Sequence, residues 1–271
     1  MSGSTRCNKG FRQVEPILTV AQLKKRYMFG IDVKDKDGKV LPDSVCQAHI
    51  NNAVSALEHL LDISITPRTT TEEKDYNAND YIQWGYLQLN NFPLISISEM
   101  NIVYLHDLNN DPETSLEIPL NWVRLDKETG IVRLIPNNKF PSRLAVDSGA
   151  SFFPELFRRQ GHVPNLWRVT YKYGFDDGKV PVLLNHAIGL MSSLFVLSVA
   201  GNLVLGAGIA ATSISLDGLS QSISTTQSAE NSAYSATRKE YLDALLGRNK
   251  DEPGVVQMLM DYYKGQQINI I

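Results

Sequence analysis

Val182-Leu-Leu-Asn-His-Ala-Ile-Gly-Leu-Met-Ser-Ser-Leu-Phe-Val-Leu-Ser-Val-Ala200 is the stretch on which the reading of this chain turns. It is close to the length of about 20 apolar residues that a membrane-spanning helix needs. Asn185, His186 and three serines interrupt it, and no Lys or Arg cluster flanks either end closely, as insertion would favour. A helix that is apolar on most sides can equally be a central helix covered by protein. The stretch is therefore predicted to be a helix buried against protein, with no membrane involved. It belongs to a longer gap: from Pro181 to Leu216 there is no Asp, Glu, Lys or Arg.

Around that gap the composition is ordinary. The chain has 271 residues, 43% apolar and 20% charged, with 26 Lys+Arg against 29 Asp+Glu, a net charge of -3. That is too apolar for a disordered chain, and not basic enough to make nucleic acid an obvious specific partner. Two cysteines, Cys7 and Cys46, exclude a disulfide framework and an all-cysteine zinc site. Met1 to Gly10 is polar with no apolar core after it, so the expectation is a cytoplasm-like compartment.

Upstream, residues 14–68 read as mostly helical. Thr19 with Gln22 has the spacing of a capping box, in which Thr accepts from the N3 amide and Gln reaches back. Val20, Leu23 and Tyr27 then share one face. Asp35-Lys-Asp-Gly38 reads as a turn, and Asp43 or Ser44 as the cap of a second helix. That helix repeats Cys46, Ile50, Ala53, Val54, Leu57, Leu60 and Leu61 at the helical period, and Thr66-Pro67 closes it.

Thr69 to Asp80 reads as a polar, acidic loop. Beyond it the period changes to two. Tyr86–Leu89, Ile95–Leu105, the pair Trp122–Leu125 and Ile131–Ile135 around a Gly130 turn, and Leu166–Tyr173 make a small antiparallel β domain over residues 81–175.

A C-terminal helical part follows over residues 180–271, with Pro181 at a first-turn position. Ser213 to Ser232 is a linker by composition. The spacing of Ile214, Leu216, Leu219 and Ile223 argues against that. Helices near 233–247 and 255–264 precede an apolar tail, Ile268-Asn-Ile-Ile271. The fold class predicted is α+β: a helical bundle with an inserted antiparallel β domain.

No catalytic, cofactor-binding or metal-binding residue is assigned. His49 and His59 share a helix but stand ten residues apart, and His106, His162 and His186 are scattered. No nucleophile elbow or phosphate-binding loop is present. Gly206-Ala-Gly208 begins like a dinucleotide fingerprint, yet it follows a helix and has no βαβ unit around it. Lys24-Lys-Arg26 reads as a solvated helix face, and Asp176-Asp177 as a turn.

The layout resembles a head-to-tail connector (adaptor, or head completion) protein of tailed bacteriophages. The resemblance is carried by Val20-Ala-Gln-Leu-Lys-Lys-Arg-Tyr27, by Ala48–Asp62 ending in Leu61-Asp62-Ile63, and by Tyr171-Lys-Tyr-Gly-Phe175. The charge-free helix, Gly206-Ala-Gly-Ile209 and Ser213–Gln221 add to it. The departure is the β domain, larger than in nearly all-helical adaptors. The resemblance implies a virion protein, assembled in the host cytoplasm as a ring, commonly of about twelve copies. That ring would join the portal protein to a tail terminator or other neck or tail protein, with genomic DNA passing through it non-specifically. No cofactor and no enzymatic activity are implied. A ring would use an apolar helix between neighbours and an apolar tail as a docking peptide; the same segments could instead complete one subunit's core.

Two other readings stay open. One is another phage tail piece, a tail terminator or baseplate component, which the β domain favours. The other is an enzyme, which would show as a deep polar pocket joining acidic residues to His106 or His162.

Overall fold

In a computed structural model, residues 13–31, 33–34, 38–77, 86–103, 115–135, 161–205, 211–216, 219–224, 234–249 and 252–263 are described. The fold is α+β, as the periodicities predict. The chain divides into two compact units, Met1–Asp62 with Lys179–Ile268, and Ile63–Gly178 with Asn269–Ile271.

The first unit is helical. It begins with strand β1 (Val14–Pro16), where helix was expected. α1 (Val20–Arg26) starts at the capping box: the Thr19 hydroxyl accepts from the Gln22 N–H at 3.3 Å, and Gln22 Oε1 from the Thr19 N–H at 2.9 Å. Lys34 and Val40 form an antiparallel bridge on either side of the Asp35–Asp37 turn, whose own residues lie outside the described set. α2 (Asp43–Leu61) corrects a second expectation. Pro42 holds the cap position and makes no side-chain cap bond, while Asp43 lies in the first turn and accepts from Lys24 Nζ at 2.5 Å. The predicted apolar face is the buried one: Cys46, Ile50, Ala53, Val54, Leu57 and Leu61. At about 1.5–3 kcal/mol for each larger side chain, that face is a main stabiliser of the unit. Asp62, at φ 55, ends the helix before Thr66-Pro67 is reached.

Strand β9 (Lys179–Pro181) pairs antiparallel with β1, Val14 opposite Pro181. Pro181 therefore ends a strand, where its missing N–H costs no ladder bond, rather than opening a helix. α3 (Val182–Leu205) follows as the charge-free helix. It packs against α1, α2, α4 (Ser235–Leu246) and α5 (Val255–Tyr263). Leu184, Ala187, Ile188, Leu190, Val196, Leu197 and Ala200 are buried. Between α3 and α4 the segment rich in Ser and Gln forms a two-stranded hairpin, β10 (Ala211–Leu216) with β11 (Leu219–Ser224).

The second unit is built on antiparallel sheets. One has the order β2-β8-β4-β5, from β2 (Arg68–Asn77), β4 (Leu94–Val103), β5 (Ser115–Glu117) and β8 (His162–Tyr173). The other has the order β3-β7-β6, from β3 (Tyr86–Gln88), β6 (Val123–Asp126) and β7 (Ile131–Leu134). Trp122, Val132, Met100, Ile102, Trp167, Val169 and Tyr171 belong to one core shared by both. The β6–β7 pair is the predicted hairpin. Its Gly130 needs φ +74, where a Cβ would come 3.2 Å from the Leu89 carbonyl.

β2 replaces the loop expected over 69–80, of which 78–80 lie outside the described residues. It carries almost no apolar residue, and the central strand β8 supplies its pairing. The Thr71 and Thr170 hydroxyls lie 3.0 Å apart, and Arg168 Nη2 donates to Glu73 Oε1 at 2.8 Å. Charged side chains on an edge strand also discourage further strand addition. β4 alternates imperfectly because its register on β8 shifts twice, between Leu94 and Ser96 and between Ile97 and Glu99.

Candidate assembly surface

Asn185, Ser192 and Ser193 of α3 are satisfied by the helical unit's own groups. Asn185 Oδ1 accepts from the Leu18 N–H at 3.0 Å, while Nδ2 donates to Glu15 Oε1 at 2.8 Å and to the Pro16 carbonyl at 2.9 Å. Ser192 and Ser193 donate to the carbonyls four residues back, Ile188 at 2.6 Å and Gly189 at 2.8 Å. By length and composition the helix could cross a membrane, yet 56% of its most apolar window is buried inside the protein.

Gly189 leaves a notch in the same helix. A Cβ there would come within 2.3 Å of the Tyr27 ring, whose hydroxyl lies 2.9 Å from His186 Nδ1. The Tyr241 hydroxyl of α4 donates to the Tyr27 carbonyl. Burial pushes the Tyr27 phenol up and the His186 imidazole down, so the pair is neutral near pH 7.

On its other side α3 carries Met191, Phe195 and Val199 at four-residue intervals, one stripe of a helix. Phe195 and Val199 are each 36% exposed. The His49 ring of α2 borders the stripe, its centroid 6.1 Å from that of Phe195, and burial lowers its pKa. The helix is thus buried on one side and leaves an uncharged apolar stripe on the other.

The other sequence candidates do not converge. His49 and His186 lie against different partners, and His59 is exposed. His162 Nε2 is 3.8 Å from Asp75 Oδ2, with both side chains more than half exposed. His106, Cys7, Gly206, Gly208 and the 268–271 tail lie outside the described residues. Among the described residues no group of three or more His, Cys, Asp or Glu could hold a metal ion. Of the basic cluster, Lys24 pairs with Asp43 and Arg26 with Glu15 at 3.4 Å. A cavity of about 510 Å³ in the helical unit is lined by apolar residues, Met28, Phe29, Ile31, Val33 and Leu41 among them, with Lys24 and Cys46. Among the described residues its lining includes neither a carboxylate nor a histidine.

In the second unit a polar cluster ties β2 to β8 and to the loop before β4. The Tyr171 hydroxyl donates to Glu72 Oε2 at 2.6 Å and accepts from Asn91 Nδ2 at 2.9 Å. Lys74 Nζ lies 2.7 Å from Glu72 Oε1 and donates to Asn90 Oδ1 at 2.5 Å. Burial and the bond to Glu72 push the Tyr171 phenol far up, so it stays protonated. Sequence reading missed this cluster, since two of its members, Glu72 and Lys74, fall in the strand taken for a loop.

No family model matches the chain. No curated protein matches it either. Among solved structures, one similar chain comes from the neck of an empty GTA particle, computed with C6 symmetry. The TM-score is 0.39 at 13% identity, over 68% of this chain and 83% of that one. A likeness of that size says nothing about function.

Proposed function

We propose that this chain is a structural subunit of a tailed-phage neck, a head-to-tail connector that works by assembly and carries out no bond chemistry. In this reading copies form a ring, with about twelve copies the number the sequence resemblance implies. The ring joins the portal to a tail terminator or other neck protein and lets genomic DNA pass. The observation that carries the reading is α3, an uncharged helix sealed on one side by its own unit and apolar on the other. Interfaces between permanent partners look like a core cut in half, and such a stripe is half of one. The resemblance of residues 20–27, 48–62 and 171–175 to connector sequences supports the same assignment.

Mass photometry of the full chain mixed with the portal protein of the same particle tests it. A discrete complex of many copies on one portal is expected. No co-assembly at any concentration overturns the connector reading. The four-stranded sheet of the second unit favours a tail terminator instead, and co-assembly with tail-tube protein but not portal would select it.

A further inference from the structure

The two sheets of the second unit meet in one core, so each also turns a face outward. Cross-strand partners share a face, and neighbours along a strand alternate. On the three-stranded sheet Leu125 and Val132 pair toward the core, which puts the next pair, Arg124 with Arg133, on the outer face. Both arginines are exposed. Like charges directly opposite each other repel. Asp126 follows on the same face, but its Oδ1 accepts from the Glu128 N–H at 3.2 Å. Among the described residues neither arginine has a carboxylate partner.

The four-stranded sheet matches its cations. On its outer face Arg168 donates to Glu73, and Lys172 Nζ lies 3.8 Å from Asp176 Oδ1. The charge left over there is negative. Met100 and Ile102 are in the core, so Asn101 between them faces outward with its cross-strand partner Glu117. Glu99, two residues before Asn101, shares that face and accepts from Asn101 Nδ2 at 2.6 Å. Glu99 and Glu117 are exposed, and among the described residues neither has a cationic partner.

One unit thus carries an unmatched basic pair on one outer face and an unmatched acidic pair on the opposite one. Opposite faces of a sandwich cannot meet within a copy, but they can meet between copies. Resting on the ring of the connector reading, we infer that the Arg124–Arg133 face of one copy docks on the Glu99–Glu117 face of the next. The contact is heterologous, so each copy gives one face and receives the other, and repetition closes a ring. Docking sets carboxylates against two arginines that otherwise face only each other, and the planar guanidinium fork suits a carboxylate. A second copy is favoured over a polyanion such as DNA because the chain itself carries the matching acidic face.

The test uses two charge-reversed full chains, Arg124→Glu with Arg133→Glu, and Glu99→Lys with Glu117→Lys. The first keeps two like charges opposite each other, as in wild type. In the second the Asn101 amide can turn to accept from the new ammonium. Circular dichroism should therefore be unchanged. Sedimentation velocity over a concentration series, with and without portal protein, is expected to show that each variant alone needs about tenfold more protein than wild type to assemble. An equal mixture of the two should recover, because every contact in an alternating ring again joins opposite charges. Variants that assemble as well as wild type overturn the inference and leave the connector reading standing, and so does a mixture that fails to recover. A wild-type chain that assembles neither alone nor on portal overturns both. If the arginine variant assembles normally but loses double-stranded DNA in a gel shift, the arginines serve DNA and the inference falls. Should a reversed chain unfold, Arg124→Gln with Arg133→Gln replaces it. Its assembly should be weaker and less sensitive to salt than that of wild type, and an unchanged salt dependence overturns the inference.

Discussion

α3 and β2 manage their polar groups in opposite ways. α3 has no charge, and its Asn185, Ser192 and Ser193 are buried. Asn185 joins the helix to the segment around β1, and Ser192 and Ser193 bond back to their own helix. β2 is nearly all polar and settles its charges across the ladder, Glu73 on Arg168 and Glu72 on Tyr171. Asn185 is a buried fixture of α3 whose loss strands its partners. In β2 polar groups are many, and those nearer solvent, Glu73 with its Arg168 partner among them, matter little one by one. Where a polar group sits decides its worth more than how many there are.

The largest test of that contrast is Asn185→Leu. It strands the buried Leu18 N–H and removes two further bonds, so urea unfolding should show a loss of about 2–4 kcal/mol. A loss under about 0.5 kcal/mol would break the comparison. Gly189→Ala comes next. Its Cβ must displace the Tyr27 ring, which should cost about 1–3 kcal/mol. Proton NMR should also show the His186 pKa moving, since its hydroxyl partner has been pushed away.

The third test is pH. Burial lowers the His186 and His49 pKa values, so the unfolded chain takes up protons first as pH falls. Their contribution is fully present above about pH 6.5, the ordinary histidine value. It is lost as pH falls from there until the folded values are reached. Denaturation midpoints should decline over that window, and His186→Gln should flatten the decline. The smallest effect belongs to β2: Glu73→Ala should cost no more than about 1 kcal/mol and less in high salt, because both partners face solvent. A larger, salt-insensitive loss would show that the edge strand is not managed as described.

What the sequence made legible follows the same divide. The Thr19–Gln22 box, the apolar face of α2 and the β6–β7 hairpin are local patterns, and the structure forms them in place. β2 was not legible because its order comes from β8, whose partnering hydroxyl at Thr170 lies 99 residues from Thr71. No local period records such support. β1 and β9 are too short to carry a period. The 211–224 hairpin did leave a signal, Asp217-Gly218 between alternating aliphatics, which the serine content obscured. The apolar stripe of α3 was half visible: the missing charges marked the segment, but only packing shows which side of α3 is left uncovered.

Ile65 and Phe175 lie near the two ends of the second unit, and the Phe175 N–H donates to the Ile65 carbonyl at 3.2 Å. Gly174, at φ +102, packs so tightly on Thr66 that a Cβ would come within 2.6 Å of its carbonyl. The insertion therefore leaves at the place where it came in. To the helical unit the whole β unit is topologically a single turn with its ends already held together. Closing even a long loop grows costlier only slowly with its length, and a folded one with clasped ends adds less still. Residues added or removed between the clasped ends would change that closing cost little.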